Sequence, residues 1–116
     1  MIVPQKTMSL ERWRALSIEE QLGNIGSEVS RAGHWQRKDQ KTFWGAVDRA
    51  LELFDLTLAD PRWHGAKKRE IARAREVFCD AVYGGREYGT TFENLLPYFD
   101  QFALVARLRP LAVFKG

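Results

Sequence analysis

The chain has 116 residues, of which 45% are hydrophobic and 28% are charged, and its net charge is +3. This composition excludes wholesale disorder and predicts one globular domain that buries a single core. A mild positive charge permits nucleic-acid binding without requiring it, so the distribution of the charge along the chain must decide.

The sequence shows no pattern typical of a membrane span or a signal peptide, and it contains one cysteine. No apolar run approaches the roughly 18 residues of a membrane span, and residues 1–10 lack the apolar centre of a signal peptide, so we expect a cytoplasmic protein with no membrane partner. The single cysteine, Cys79, lies within the apolar pattern REVFCDAV, which favours a structural thiol over a nucleophile.

Residues 1–16 are predicted to form an N-terminal arm with a short helical turn at SLERWR. The first long helix begins after Ser17, because Ser17 and Glu20 have the spacing of a capping box. Apolar residues then alternate at spacings of four and three, which indicates one buried stripe: Ile18, Leu22, Ile25, Val29 and Ala32.

Glycines interrupt this first helix at positions 23, 26 and 33, and each costs about 1 kcal/mol relative to alanine. Gly26 and Gly33 are one heptad apart beside the apolar stripe, which predicts close approach of a neighbouring helix. The alternative is a groove for a small molecule, bordered by aromatic residues such as Trp35 and Trp44.

The second helix is predicted from Asp39, as N-cap, to Ala59, where Asp60-Pro61 enforces a stop. The third covers roughly residues 66–83 and ends at two consecutive glycines. Their predicted buried faces are Phe43, Val47, Ala50, Leu51, Phe54 and Leu58 in the second helix, and Ile71, Ala74, Val77, Phe78, Ala81 and Val82 in the third.

The fourth helical segment contains two prolines. Thr90 and Glu93 have capping-box spacing, and Pro97 predicts a short turn at 91–96 with the main helix from Pro97 to Leu108, closed by Pro110. Four helices with short connections predict an all-α fold, an antiparallel up-and-down four-helix bundle. The bundle would span residues 17–109, with a C-terminal tail at 110–116.

The third helix carries its charges in the order that the helix dipole disfavours, with bases in the first half. Asp55 and Asp60 could neutralise part of this block across the preceding turn, but a surplus of bases remains. That surplus is either an anion-binding patch or a solvated face, and its members are Lys67, Lys68, Arg69 and Arg73. Neighbouring Trp63 either plugs the end of the bundle, which we favour, or stacks on a base.

Patterns for catalysis are missing. Asp48, Glu52 and Asp55 share one helical face, but that face points away from the core, which favours a solvated stripe over a metal site. The sequence has no phosphate-binding loop, nucleophile elbow or zinc-ligand spacing. We therefore expect no catalytic residue, no metal, no cofactor and no enzymatic activity.

The last helix has a second apolar stripe besides its core face of Leu95, Phe99, Phe102 and Ala106. This second stripe consists of Leu104, Val105 and Leu108. A helix that is apolar on two sides needs two partners, so we predict a homo-oligomer or a protein partner on this stripe. The alternative is that the apolar tail wraps back over it.

The whole pattern, a helix ending NIGSEVSRAGHW, a polar turn, KTFWGAVDRALELFDLTL and two further helices, resembles one group of bacterial proteins. This group of four-helix bundles includes the rRNA intervening-sequence protein and the accessory protein of diversity-generating retroelements. The resemblance implies a non-enzymatic oligomer, pentameric in that group, whose basic surface contacts nucleic acid and, in the retroelement branch, a reverse transcriptase. The implied contact surface maps to Lys67, Lys68, Arg69 and Arg73, with a second cluster at Arg31, Arg37 and Lys38.

Two hypotheses follow. The first is an oligomeric bundle that binds the phosphate backbone of RNA or DNA with little base specificity. The second is a protein-interaction module that docks its partner on the stripe of the last helix and uses its surface charges only for solubility.

Overall fold

The computed structural model describes the backbone of residues 9–115 and the side chains of residues 9–105 and Leu108. The described chain folds into helices without any strand, which confirms the all-α prediction. These helices are α1 (Leu10–Arg14), α2 (Ile18–Trp35), α3 (Gln40–Leu58), α4 (Gly65–Val82) and α5 (Phe92–Lys115). They pack as a helical bundle, in which α2 and α4 each contact both α3 and α5.

The predicted boundaries of α2 and α3 are confirmed by their caps. Ser17 Oγ accepts a hydrogen bond from the Glu20 amide, and Glu20 Oε1 accepts one from the Ser17 amide, at 3.1 and 2.8 Å. Asp39 caps α3 by accepting from the amide of Lys41 and the hydroxyl of Thr42. The predicted stripe of α2 is buried along its full length. Capping and periodicity therefore fix these two helices locally.

Aromatic rings join three of the helices at the centre of the bundle. The ring of Phe54 on α3 lies 5.9 Å from Phe78 on α4 and 6.2 Å from Phe99 on α5. Phe92 extends the cluster by contacting Phe43 and Phe78 edge to face. Because rings of this size bury the most apolar area per residue, this cluster holds α4 and α5 against α3.

The glycines of α2 face α5 at close range, which confirms the predicted approach of a neighbouring helix. A Cβ built on Gly26 would lie 2.6 Å from Phe99 Cβ, and one on Gly33 would lie 3.1 Å from Phe92 Cβ. Phe99 thus fills the space beside Gly26, so a small-molecule groove has no room at that position, whereas Gly33 lines a pocket of about 390 Å³.

The prediction for the last helix is wrong at both prolines. Helix α5 begins at Phe92 and continues through Pro97 and Pro110 to Lys115. Its cap is formed by Thr91 and Asn94, whose side chains each accept the other's amide, instead of the predicted Thr90 and Glu93. Pro97 forgoes one backbone bond near the start of the helix, and burial of Leu95 and Phe99 on either side offsets that loss.

The tail at 110–116 was expected to lie beyond the last helix, but the helical backbone continues as far as Lys115. The alternative in which the apolar tail covers the second stripe of this helix depends on tail side chains, which lie outside the described residues.

A buried polar cluster ties the start of α2 to the α3–α4 turn. Gln21 is fully buried, and its Nε2 donates to the backbone oxygen of Trp13 at 2.8 Å and to Asp60 Oδ2 at 3.3 Å. Its Oε1 accepts from Trp63 Nε1 at 2.8 Å. Asp60, also buried, pairs with Arg62 at 2.7 Å. We call Gln21, Asp60, Arg62 and Trp63 the clasp, and it fixes where α4 begins.

Because of the clasp, the free energy of unfolding is expected to fall at acid pH. The hydrogen bond from Arg62 lowers the pKa of Asp60 from 3.8 to about 2, against the opposing effect of burial. Because the folded-state pKa lies below the ordinary value, this stabilisation is complete above about pH 4 and is lost as the pH falls towards 2. We expect the urea midpoint of the wild type to fall across this window and that of Asp60→Asn to fall less. The exposed Asp48→Asn should follow the wild type, and parallel profiles for all three proteins would contradict the assignment.

Candidate functional site

The N-terminal end of α4 is open to solvent. Gly65 begins the helix at φ +61°, a conformation that favours glycine. The N-cap residue, His64, makes no side-chain hydrogen bond to the helix, and the first turn contains no acidic residue. The amides of this turn therefore contribute a partial positive charge that no side-chain cap offsets.

Four basic side chains project from the first half of this helix, and we call them the α4 basic face: Lys67, Lys68, Arg69 and Arg73. All four are exposed. Within the described residues, none of them has a carboxylate oxygen within 4.0 Å of its charged nitrogen atoms.

The two acids predicted to neutralise this block pair with other arginines. Asp55 Oδ1 accepts from Arg75 Nε at 3.1 Å, and Asp60 pairs with Arg62 in the clasp. Asp55 and Asp60 therefore do neutralise basic residues near the turn, but these residues are Arg75 and Arg62. In the part of the chain that the structure describes, the α4 basic face has no acidic partner.

Tyrosine hydroxyls donate to two of the three acids of α4, Glu70 and Glu76. Tyr98 on α5 donates its hydroxyl to Glu70 Oε2 at 3.2 Å, and Tyr88 donates to Glu76 Oε1 at 3.4 Å. Burial, aided by the charge of Glu70, raises the pKa of Tyr98 to about 12, so it remains a donor at neutral pH. The Arg73 guanidinium lies 5.0 Å above the Tyr88 ring, a contact that orients the cation without neutralising it.

Tyr88 is held in place by Asp80, which helical periodicity predicts on the outer side of α4, opposite the buried face. Asp80 is buried, and its carboxylate accepts the backbone amides of Glu87, Tyr88 and Thr90 at 2.8 to 3.1 Å. Burial alone would raise the pKa of Asp80, but these hydrogen bonds lower it. The only sequence signal was an acid between the buried positions Phe78 and Ala81.

Trp63 plugs the end of the bundle, as predicted. It is half-buried, it packs against the core, and its indole nitrogen donates to Gln21 in the clasp. Arg62 and Lys67 lie 4.5 and 5.8 Å from its ring centre. The ring therefore packs against the side chains of Arg62 and Lys67 and does not offer a free surface for stacking on a base.

The second predicted cluster lies at the other end of α2. Arg37 and Lys38 follow the end of that helix and, with His34 and Phe92, line a pocket of about 390 Å³. Arg31 lies 3.7 Å from Glu28. Because Trp63 of the clasp contacts Gln21 in the first turn of α2, Arg37 and Lys38 lie roughly 24 Å from the clasp along the axis of that helix.

The predicted second stripe of α5 is exposed. The exposed fractions of Leu104, Val105 and Leu108 are 49%, 42% and 50%, whereas Phe99 on the core side is buried. Phe102 is half-buried, and Ala106, also predicted to face the core, lies outside the described side chains.

Comparison with protein-family models, curated proteins and solved structures finds no match.

Other chemistry finds little support in the described part of the chain. No group of three or more His, Cys, Asp or Glu side chains there could hold a metal ion. Asp48 and Glu52 are exposed, and Asp55 pairs with Arg75. Cys79 is half-buried, and burial raises the pKa of its thiol, which disfavours the nucleophilic thiolate. Within residues 9–115, no helix has the length and hydropathy that crossing a bilayer requires.

Proposed function

We propose that this protein is a non-enzymatic, oligomeric helical-bundle protein that binds the phosphate backbone of nucleic acid through the α4 basic face. One observation carries the proposal. Four exposed cations crowd the first half of an 18-residue helix, and none has a carboxylate partner within the described residues. A cytoplasmic location and the absence of any bound cofactor belong to the same proposal.

Helix stability alone disfavours this placement. A base near a helix N-terminus costs roughly 0.3–1 kcal/mol, and several bases there repel one another. A phosphate would reverse that cost because it accepts from both the exposed amides and the basic side chains. Such contacts go to the backbone of the nucleic acid, so they predict affinity with little sequence preference and strong dependence on salt.

The remaining architecture extends the proposal. The neighbour relations of α2 to α5, together with short connections, support an antiparallel up-and-down four-helix bundle. Arg31, Arg37 and Lys38 lie at the opposite end and would contact a second segment of nucleic acid. The resemblance to retroelement accessory proteins makes a reverse transcriptase the candidate protein partner.

The experiment that tests this proposal is a titration of labelled structured RNA and duplex DNA at about 50 mM and about 200 mM salt. Lys67→Glu/Arg69→Glu/Arg73→Glu should weaken binding by more than about tenfold at the lower salt. Arg12→Glu/Lys41→Glu/Arg86→Glu is the matched control, because it changes the net charge equally at exposed positions elsewhere. No binding by the wild type, or equal loss in both variants, would refute the proposal.

Assembly is proposed to use the exposed stripe of α5, since three large apolar side chains on one helix face favour a partner over water. Leu104→Asp should reduce the mass measured by light scattering to that of a monomer. Leu10→Asp is the matched control, because Leu10 is 45% exposed on α1, and it should leave the mass unchanged. An unchanged mass for Leu104→Asp would exclude this stripe as the oligomer interface.

The second candidate function is a protein-interaction module with no nucleic-acid role. The exposed stripe of Leu104, Val105 and Leu108 favours it, since a heterologous protein could occupy the same face. It predicts that the wild type binds no nucleic acid and that Leu104→Asp loses its protein partner, which separates it from the leading proposal.

A further inference from the structure

A cavity of about 460 Å³ lies between α4 and α5, directly beside the α4 basic face. Helix α4 contributes Glu70, Arg73, Ala74 and Val77, which share one helical face, and α5 contributes Asn94, Leu95 and Tyr98, with Thr90 at the edge. Its volume is within the range of roughly 300–1,000 Å³ that is usual for small-ligand pockets.

The cavity combines an apolar floor with a polar rim. Ala74, Val77 and Leu95 form the floor, and Tyr98 adds an aromatic ring. At the rim, Asn94 Oδ1 is used by the Thr91 amide, which leaves the amide nitrogen of its side chain as a donor. Glu70 Oε2 accepts the Tyr98 hydroxyl, which leaves Oε1 to accept from a ligand.

Charge complementarity indicates the occupant. Arg73 lies at the rim, and Arg69 is one helical turn away on the same side of α4. An apolar slot with donors and acceptors suits a flat heterocycle, while the neighbouring cations suit phosphates on either side of it. A nucleotide within a strand presents these groups in this arrangement.

We infer that the α4–α5 cavity receives one unstacked base of single-stranded nucleic acid, with its flanking phosphates on Arg69 and Arg73. The inference rests on the proposed function and specifies the form of nucleic acid that this site takes. A base within a duplex reaches the cavity only after unpairing, which costs a few kcal/mol, so single strands bind more tightly than duplexes. Glu70 favours bases that carry an exocyclic amine over those that carry only carbonyl oxygens.

The test fills the cavity without changing charge. Val77→Phe places a ring in the cavity from a half-buried position, and Ala72→Phe adds the same ring at a half-buried position of α4 outside the cavity lining. Short single-stranded RNA and a duplex of the same sequence are titrated by fluorescence anisotropy. Val77→Phe should weaken single-strand binding by about tenfold and duplex binding by less than about twofold, with Ala72→Phe close to wild type for both.

A second measurement uses the wild-type protein, so it does not depend on how a variant folds. Titration with adenosine monophosphate, followed by NMR, should give saturable shifts at the amides of Asn94, Leu95 and Tyr98, whereas ribose 5-phosphate, which has no base, should not. Equal shifts with both probes, or a Val77→Phe variant that binds single strands normally, would overturn the inference and leave phosphate binding intact. Failure of the wild type to bind any nucleic acid would overturn both.

Discussion

Replacing Gln21 with leucine is expected to lower the free energy of unfolding by about 3 kcal/mol. Gln21 is completely buried, and its amide bonds to the Trp13 carbonyl, Asp60 and the Trp63 indole. Leucine retains the approximate volume but leaves the Trp63 N–H without a partner, and it removes one donor each from Asp60 and from the Trp13 carbonyl, which keeps the Leu16 amide. Each unsatisfied buried group costs roughly 1–3 kcal/mol, which exceeds the gain from added apolar area. Chemical denaturation measures the effect.

Gln40→Leu is the matched control for this substitution. Gln40 is exposed at the start of α3, and its side chain bonds only to the preceding Gln36 carbonyl, so water can replace that contact. We expect a change within about 0.5 kcal/mol. Similar losses at Gln21 and Gln40 would show that the clasp contributes little to stability. Since the clasp sets the start of α4, Gln21→Leu should also reduce nucleic-acid binding measured on the folded fraction.

Replacing Gly26 with valine is expected to lower the free energy of unfolding by about 3 kcal/mol, because the added side chain clashes with Phe99 of α5 close to its backbone. The Cβ atom alone would lie 2.6 Å from Phe99 Cβ, an atom that cannot rotate away as the tip of a side chain could. Phe99 also contacts Phe54 in the core, so displacing it disturbs the aromatic cluster. The gain in helix propensity from removing a glycine is smaller than this cost.

Gly45→Val isolates the propensity effect from the packing effect. A Cβ on Gly45, in the second turn of α3, meets no atom within 4 Å, so only the backbone preference changes. We expect a stability within about 0.5 kcal/mol of the wild type, on the stabilising side. If thermal denaturation gives equal losses for Gly26→Val and Gly45→Val, close α2–α5 packing does not explain the glycines of α2.

The helices of this protein were largely predictable because their signals are local. Ser17 and Asp39 marked two helix starts, and the spacing of apolar residues predicted the buried stripe of α2 and most of the buried faces of α3 and α4. Leu51, Leu58 and Val77, which were predicted to be buried, are only half-buried. The start of α5 was not predictable in this way, because Pro97 is tolerated only where burial of Leu95 and Phe99 offsets the lost hydrogen bond. That compensation depends on contacts between distant parts of the chain.

The same distinction applies to the candidate site. The four cations of the α4 basic face were readable from charge order along one helix, and so was their surplus over nearby acids. The contributions of Tyr88 and Tyr98 were not readable in this way. Tyr88 lies in the loop after α4 and Tyr98 lies in α5, so their bonds to α4 depend on how the chain folds back. Asp80 orients that loop through backbone amides, which no residue pattern reveals. Local sequence thus predicted the charge, and only the structure showed the cavity beside it.

The most direct test of the central claim, phosphate binding by the α4 basic face, is the slope of log K against log salt for duplex DNA. Each phosphate contact contributes about 0.9 to this slope. We predict that Lys67→Glu/Arg69→Glu/Arg73→Glu flattens the slope by about two to three units relative to wild type, whereas Arg12→Glu/Lys41→Glu/Arg86→Glu leaves it within about one unit. Parallel slopes for the wild type and the α4 variant, or binding that does not respond to salt, would contradict the account.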